Sequence, residues 1–245
     1  MSSMELIKKL RDATGSGMLD CKNALAENQD NLDEAVKWLR EKGILKAQKK
    51  QDRETKEGII SFYFCSTTNN FTVCKISCET DFVAKNEDFL SFALSITKSI
   101  HDSSEIDKIS RGSYEDIKSL AHDSKTIEAT ITDTISKIGE NIQVVSFTSY
   151  KSSEFTYLTY LHNKYSENAA KIGSVIGIKS DKEISDSLKF DLKIIPMQVS
   201  AMKPMAIDKD SLNPKILEDE VDIIKKQMGD VNPEKIDQII SGKIN

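Results

Sequence analysis

Within the first fifty positions, apolar residues recur three times at the three- and four-residue steps of an α-helix. The runs are Leu6, Ile7 and Leu10; then Met18, Leu19, Cys21, Ala24 and Leu25; then Leu32, Ala35, Val36 and Leu39. Turn chemistry separates them. The TGSG stretch Thr14–Gly17 parts the first run from the second, Asp30 is a candidate cap for the third, and Gly43 stands where a helix C-terminus favours a residue free to turn left-handed. The pattern predicts a three-helix module over residues 1–45, close to the lower size limit for independent folding, with Trp38 at the edge of its core or on its surface. Residues 46–57 are charged and carry no apolar stripe, which predicts a solvated, partly helical linker.

From Gly58 the apolar period changes to two. Ile59–Cys65 and Phe71–Cys78 flank Thr67–Asn70, a β-hairpin pattern with a loop longer than two residues. A helix is predicted over Asp88–Ile100, and Ile127, Ile131, Ile135 and Ile138 mark another that stops at Gly139. Strand patterns return at Ile142–Tyr150, Phe155–Leu161 and Ile172–Lys179, before a helical pattern over Leu188–Met202 that Pro196 is placed to kink. The recurrence of hairpin, strand and helix predicts two related α+β subdomains, 58–140 and 141–206, although no residue-level repeat accompanies it. Over 207–245, Leu217, Val221, Ile224 and Met228 step like a coiled-coil seam. A turn at Gly229–Pro233 and a second helix with Ile236, Ile239 and Ile240 would complete an antiparallel arm. Whether such an arm projects or folds back onto the body is open at this level.

Charge narrows the function class. The 245 residues carry 34 Lys and Arg against 39 Asp and Glu, a net of −5 with a pI near 5.4, which excludes the positive field of a nucleic-acid coat protein. With 38% hydrophobic residues and a mean hydropathy of −0.40, the chain reads as globular. No run approaches the length of a membrane span and charges interrupt the N-terminus, so neither a nucleic-acid nor a membrane partner is expected and a cytoplasmic location is. Cys21, Cys65, Cys74 and Cys78 form no metal or redox spacing and are expected as reduced thiols, with Cys74, Ile76 and Cys78 on one strand face.

No phosphate-binding, nucleophile or metalloprotease motif occurs, and His101, His122 and His162 lack partners at ligand spacing. Neither an enzyme nor a bound cofactor is expected. The stretch that stands out is Thr80–Asn86 (TDFVAKN), which puts Phe82 and Val83 into what should be a polar turn. Two accounts are open: Phe82 staples onto the following helix with Asn86 or Asp88 as its cap, or it protrudes beside an acid as a protein-binding anchor.

Leu10–Leu25 (LRDATGSGMLDCKNAL) and Cys78–Phe89 (CETDFVAKNEDF) resemble the bacterial translation elongation factor Ts family, guanine-nucleotide exchange factors of elongation factor Tu. Fainter echoes run through Lys137–Ile142 (KIGENI), Tyr160–Asn163 with Lys171–Gly173, and Met197–Ala201, so the resemblance covers essentially the whole chain. It implies an α+β protein made of an N-terminal three-helix ubiquitin-associated-type module, two α+β core subdomains and an antiparallel coiled-coil arm. The partner it implies is elongation factor Tu, GDP-bound and nucleotide-free. Asp81 and Phe82, with Thr80 and Val83 around them, would intrude beside its switch and Mg²⁺ site. Arg11, Met18, Leu19 and Lys22 would grip the other side of the same domain, and the region of His162 would add contacts. Gln198 stands where relatives commonly carry a histidine. Relatives with this arm commonly continue with a returning strand and a short helix, so a chain stopping at Asn245 is expected to be truncated, with its second subdomain incomplete and a sheet edge exposed. Two other classes fit parts of the chain: a ubiquitin-type adaptor built on the first module, and a structural protein homodimerising through the arm.

Overall fold

The computed structural model describes residues 3–107, 109–151, 154–208 and 210–228. The chain divides into two compact units, Met1–Ser200 and Ala201–Asn245.

The first unit opens with helices α1 (Ser3–Thr14), α2 (Met18–Glu27) and α3 (Leu32–Gln48). Ile7, Leu10, Cys21, Ala24, Leu25, Ala35 and Leu39 form their common core, with Trp38 half-buried at its margin. Asp30 does not cap α3. It takes a left-handed turn (φ 59), and Asn31 accepts the Asp33 and Glu34 N–H groups instead. Gly43 does not end the helix either: it lies within α3 and is buried there. Its missing side chain admits Ser136, whose hydroxyl donates to the Gly43 carbonyl at 2.9 Å; a Cβ would meet that oxygen at 2.9 Å. The stretch after residue 45 is accordingly more than a solvated linker. Ala47 is buried in the main core, and turns at 49–53 lead into the sheet.

One six-stranded antiparallel sheet follows. Its strands are β1 (Glu57–Cys65), β2 (Asn70–Cys78), β3 (Ile109–Gly112), β6 (Ile142–Tyr150), β7 (Thr156–Ser166) and β8 (Ala169–Ile178), in the order β3-β6-β2-β1-β8-β7. Strands from both predicted subdomains pair in it, β2 with β6 and β1 with β8. A bulge lets β6 do so: Ile76 faces Val144 while Lys75 faces Ser146, so Val145 is the extra residue. The inward face changes from Ile142 and Val144 to Phe147 and Ser149 across it. Between β3 and β6 lie a 3₁₀ turn (Tyr114–Asp116), the short pair β4 (Ala121–His122) and β5 (Lys125–Thr126), and helix α6 (Ile127–Ile138).

Helices α5 (Glu87–Asp102) and α6 cover one sheet face. Phe89, Phe92, Ala93, Ile96 and Ile100 of α5 meet Ile59, Cys74, Ile76 and Cys78, and Ile127, Ile131 and Ile135 of α6 join them. Burying each such large side chain is worth about 1.5–3 kcal/mol. Gly139 ends α6 at φ +92, as its position in the sequence predicts. Toward one end the interface turns polar: Thr97 donates to Ser61, and Thr72 bonds both His101 and Ser149. Among the described residues no buried side-chain polar atom lacks a partner. The predicted helix over 188–202 is two pieces, α7 (Asp186–Leu192) and α8 (Ile194–Met202). Pro196 has no N–H for the Leu192 carbonyl, and the break falls at Lys193.

In the second unit, α9 (Pro214–Met228) starts with proline in its first turn and Asn213 accepting the Lys215 N–H. Val221 of the expected seam is half-buried; the expected second arm helix lies outside the described residues.

Candidate functional site

Strand β2 ends at Cys78, and the chain leaves the sheet through Glu79 and Thr80 into a single helical turn, α4 (Asp81–Ala84). Thr80 is its cap, accepting the Val83 N–H on its hydroxyl at 3.4 Å. Ala84 is wholly buried and Val83 packs half-buried on the core, which fixes the rotation of the turn. Phe82 is thereby turned outward and is 82% exposed. The stapling account fails on this point: Asn86 caps α5 by accepting the Asp88 and Phe89 N–H groups, and Phe82 takes no part. Asp81 is paired with Lys85 at 2.6 Å, one helical turn on. That hydrogen bond holds the Asp81 carboxyl below the ordinary aspartate value and raises Lys85 above the ordinary lysine value.

Beneath the turn, Cys78 donates its thiol to the Thr80 carbonyl at 3.2 Å. Burial, with the negative charges of Glu140 and Glu57 after it, pushes that thiol up to about 12. Beside the turn, Glu140 accepts from the Glu79 N–H, the Thr80 N–H and the Thr80 hydroxyl. The sequence marks Glu140 only as part of a family-like stretch, because its partners, two backbone N–H groups and the Thr80 hydroxyl, lie far away along the chain.

Arg11 lies exposed in the last turn of α1, and Met18, Leu19 and Lys22 in the first turns of α2. The α2 stripe read as one run in fact divides: Cys21, Ala24 and Leu25 point into the module core, while Met18 is 55% and Leu19 71% exposed. Two large apolar side chains and two cations are thus left exposed where α1 ends and α2 begins. His162 is exposed on β7, an edge strand, with Nδ1 2.9 Å from the Tyr160 hydroxyl. The predicted residues thus fall at three places: the α4 turn with its cap, the α1–α2 end of the helical module, and the β7 edge.

Among the described residues no three His, Cys, Asp or Glu side chains are placed to hold a metal ion, and no helix is long and apolar enough to cross a membrane. An aromatic side chain held out on a braced turn is suited to pressing on another macromolecule.

Comparison with known proteins bears on which one. Residues 79–245 match the family described as Elongation factor TS. The Elongation factor Ts of Clostridium kluyveri is 34% identical over 248 residues, covering 100% of this chain and 78% of that protein. That of Aquifex aeolicus is 37% identical over 246 residues, covering 99% of this chain and 82% of the relative. A third, from Nautilia profundicola, is 34% identical over 242 residues, covering 98% and 76%. Identity at this level along the chain, joined to a family match over more than half of it, settles the relationship: the chain belongs to the elongation factor Ts family.

Proposed function

We propose that this chain acts in translation elongation as the guanine-nucleotide exchange factor of elongation factor Tu, and that Asp81 and Phe82 are the element that drives GDP release. The observation that carries the reading is the 82% exposure of Phe82 on a turn whose Val83 and Ala84 anchor it to the core. A lone protein would gain by burying that ring, at about 1.5–3 kcal/mol. Holding it in water makes sense when a partner supplies the pocket.

A GTPase retains GDP through a phosphate loop and Mg²⁺, and slow release reflects how completely those contacts are satisfied. An aromatic wedge entering beside the switch, with the Asp81 carboxylate near the Mg²⁺ shell, raises the free energy of the nucleotide-bound form. Asp81 is ionised at neutral pH, as an aspartate ordinarily is, and its hydrogen bond to Lys85 lowers its value further. Arg11, Met18, Leu19 and Lys22 provide the second grip, and His162 a third contact. Linkage makes the effect mutual: the factor weakens nucleotide binding, and nucleotide weakens the factor's binding by the same ratio. Incoming GTP therefore ejects it. No bond is made or broken in this chain. A ubiquitin-type adaptor would have no use for the Thr80–Asn86 turn.

The test is release of labelled GDP from elongation factor Tu with the native chain and with Phe82→Ala. Truncating an interface anchor typically costs ~2–4 kcal/mol, so a large loss of stimulation is expected from a variant that folds normally. Stimulation equal to the native chain's would remove the wedge.

A further inference from the structure

Three residues after α6 bond to the exchange turn on one side and to the exit of the helical module on the other. Glu140 Oε2 accepts the N–H groups of Glu79 and Thr80, both at 3.0 Å, and Oε1 accepts the Thr80 hydroxyl at 2.6 Å. The favour is returned across the gap: Glu79 Oε1 accepts the Asn141 N–H at 2.6 Å. The Asn141 amide donates to the Arg53 carbonyl at 2.7 Å and the Gln51 carbonyl at 3.2 Å, and Arg53 Nη1 lies 3.6 Å from Glu79 Oε2. Lys50 Nζ closes the set by donating to the Gly139 carbonyl at 2.6 Å.

We infer that Glu140 is the positioning residue of the exchange turn, and that Gly139–Asn141 is the joint holding that turn against the end of α3. The inference rests on the exchange reading above and adds a residue to it. The chemistry is specific to a carboxylate. A threonine hydroxyl has one proton; Glu140 takes it, which leaves the oxygen lone pairs facing the Val83 N–H and sets the polarity of the cap. Without that acceptor the hydroxyl is free to rotate, and two backbone N–H groups at the strand exit lose their partner. Val83 and Ala84 anchor the inner face of the turn to the core, and Glu140 fixes the strand exit from which the turn, and with it Phe82, projects. Glu140 touches neither nucleotide nor metal in this account; it acts through Thr80.

The experiment titrates the full chain against elongation factor Tu loaded with labelled GDP, and reads the maximal release rate and the half-saturating concentration separately. Glu140→Ala is expected to lower the maximum at least about tenfold while moving half-saturation less than about threefold. Glu140→Gln keeps a carbonyl for both N–H groups but turns an NH2 toward Thr80, which donates where the carboxylate accepted, so it should recover only part of the maximum. Glu140→Asp keeps the charge but is one methylene short, and should fall between them; it serves also if Glu140→Ala does not fold. A general loss of folded protein would raise half-saturation and spare the maximum. An undiminished maximum in folded Glu140→Ala or Glu140→Asp, or an equal loss in Glu140→Gln and Glu140→Ala, overturns the role of Glu140 and leaves the exchange reading standing. A native chain that stimulates no release overturns both.

Discussion

Thr80 does three things at once: its hydroxyl caps α4, its hydroxyl proton goes to Glu140, and its carbonyl receives the Cys78 thiol. That layering is why the residues around it differ so sharply in exposure, from a wholly buried Cys78 to Phe82 beside the tip of the turn. The same contrast gives the four free thiols distinct chemistry. Burial raises Cys21 and pushes Cys74 and Cys78 up to about 12, so they stay protonated and shielded; Cys65 is half-exposed, and hydrogen bonds centred on Thr68 lower it. A thiol reagent at neutral pH should label Cys65 rapidly in the native chain and the other three only on unfolding, as peptide mapping would show. Prompt native labelling of Cys78 would mean that the exchange turn opens. Buried thiols sharing a strand face with Ile76 are legible in the alternation of β2. Phe82 is not, because a staple and an anchor use the same letters and differ only in the direction of one ring.

At the level of elements, α6 was legible in its isoleucines at helical steps and in Gly139, which stops it; the structure adds Thr126 as its cap. Helix α3 was not, because Gly43 reads locally as a stop, and only the approach of Ser136 shows it to be a contact point between two helices. The β6 bulge was hidden for a related reason. It answers to pairing with β2, and a strict period of two cannot show where the inward face changes. Between α5 and α6, Ile106, Ile117 and Leu120 are buried in the main core from turns and bends, which leave no period in the sequence. The Gly43 contact is open to a stability test. Gly43→Leu should force α3 from α6 and cost about 1–3 kcal/mol, lowering the melting temperature by several degrees. Gly43→Ala combined with Ser136→Ala should melt close to the native chain, since it relieves the clash and gains helix propensity. A fully stable Gly43→Leu would show that the helices are not that close.

For the whole molecule, function depends on how the parts of the first unit are tied together. The sequence divides it into a helical module, a linker and two subdomains. The structure runs the module's last helix into the main core at Ala47 and joins strands of both subdomains in one sheet. A two-point grip on a GTPase domain requires such continuity, because a wedge on a loose tether would bind without pushing. An exchange factor must also leave to act again, so it cannot hold either liganded partner too tightly. Turnover is therefore the property that separates an exchange factor from a protein that merely binds. The most direct measurement is release of labelled GDP from elongation factor Tu, with excess unlabelled nucleotide and this chain present at a small fraction of the partner's concentration. The account predicts that all of the labelled GDP is released, each chain serving many partners, at a rate proportional to the chain added. Release at the spontaneous rate, or a burst that stops at one partner per chain, would contradict it.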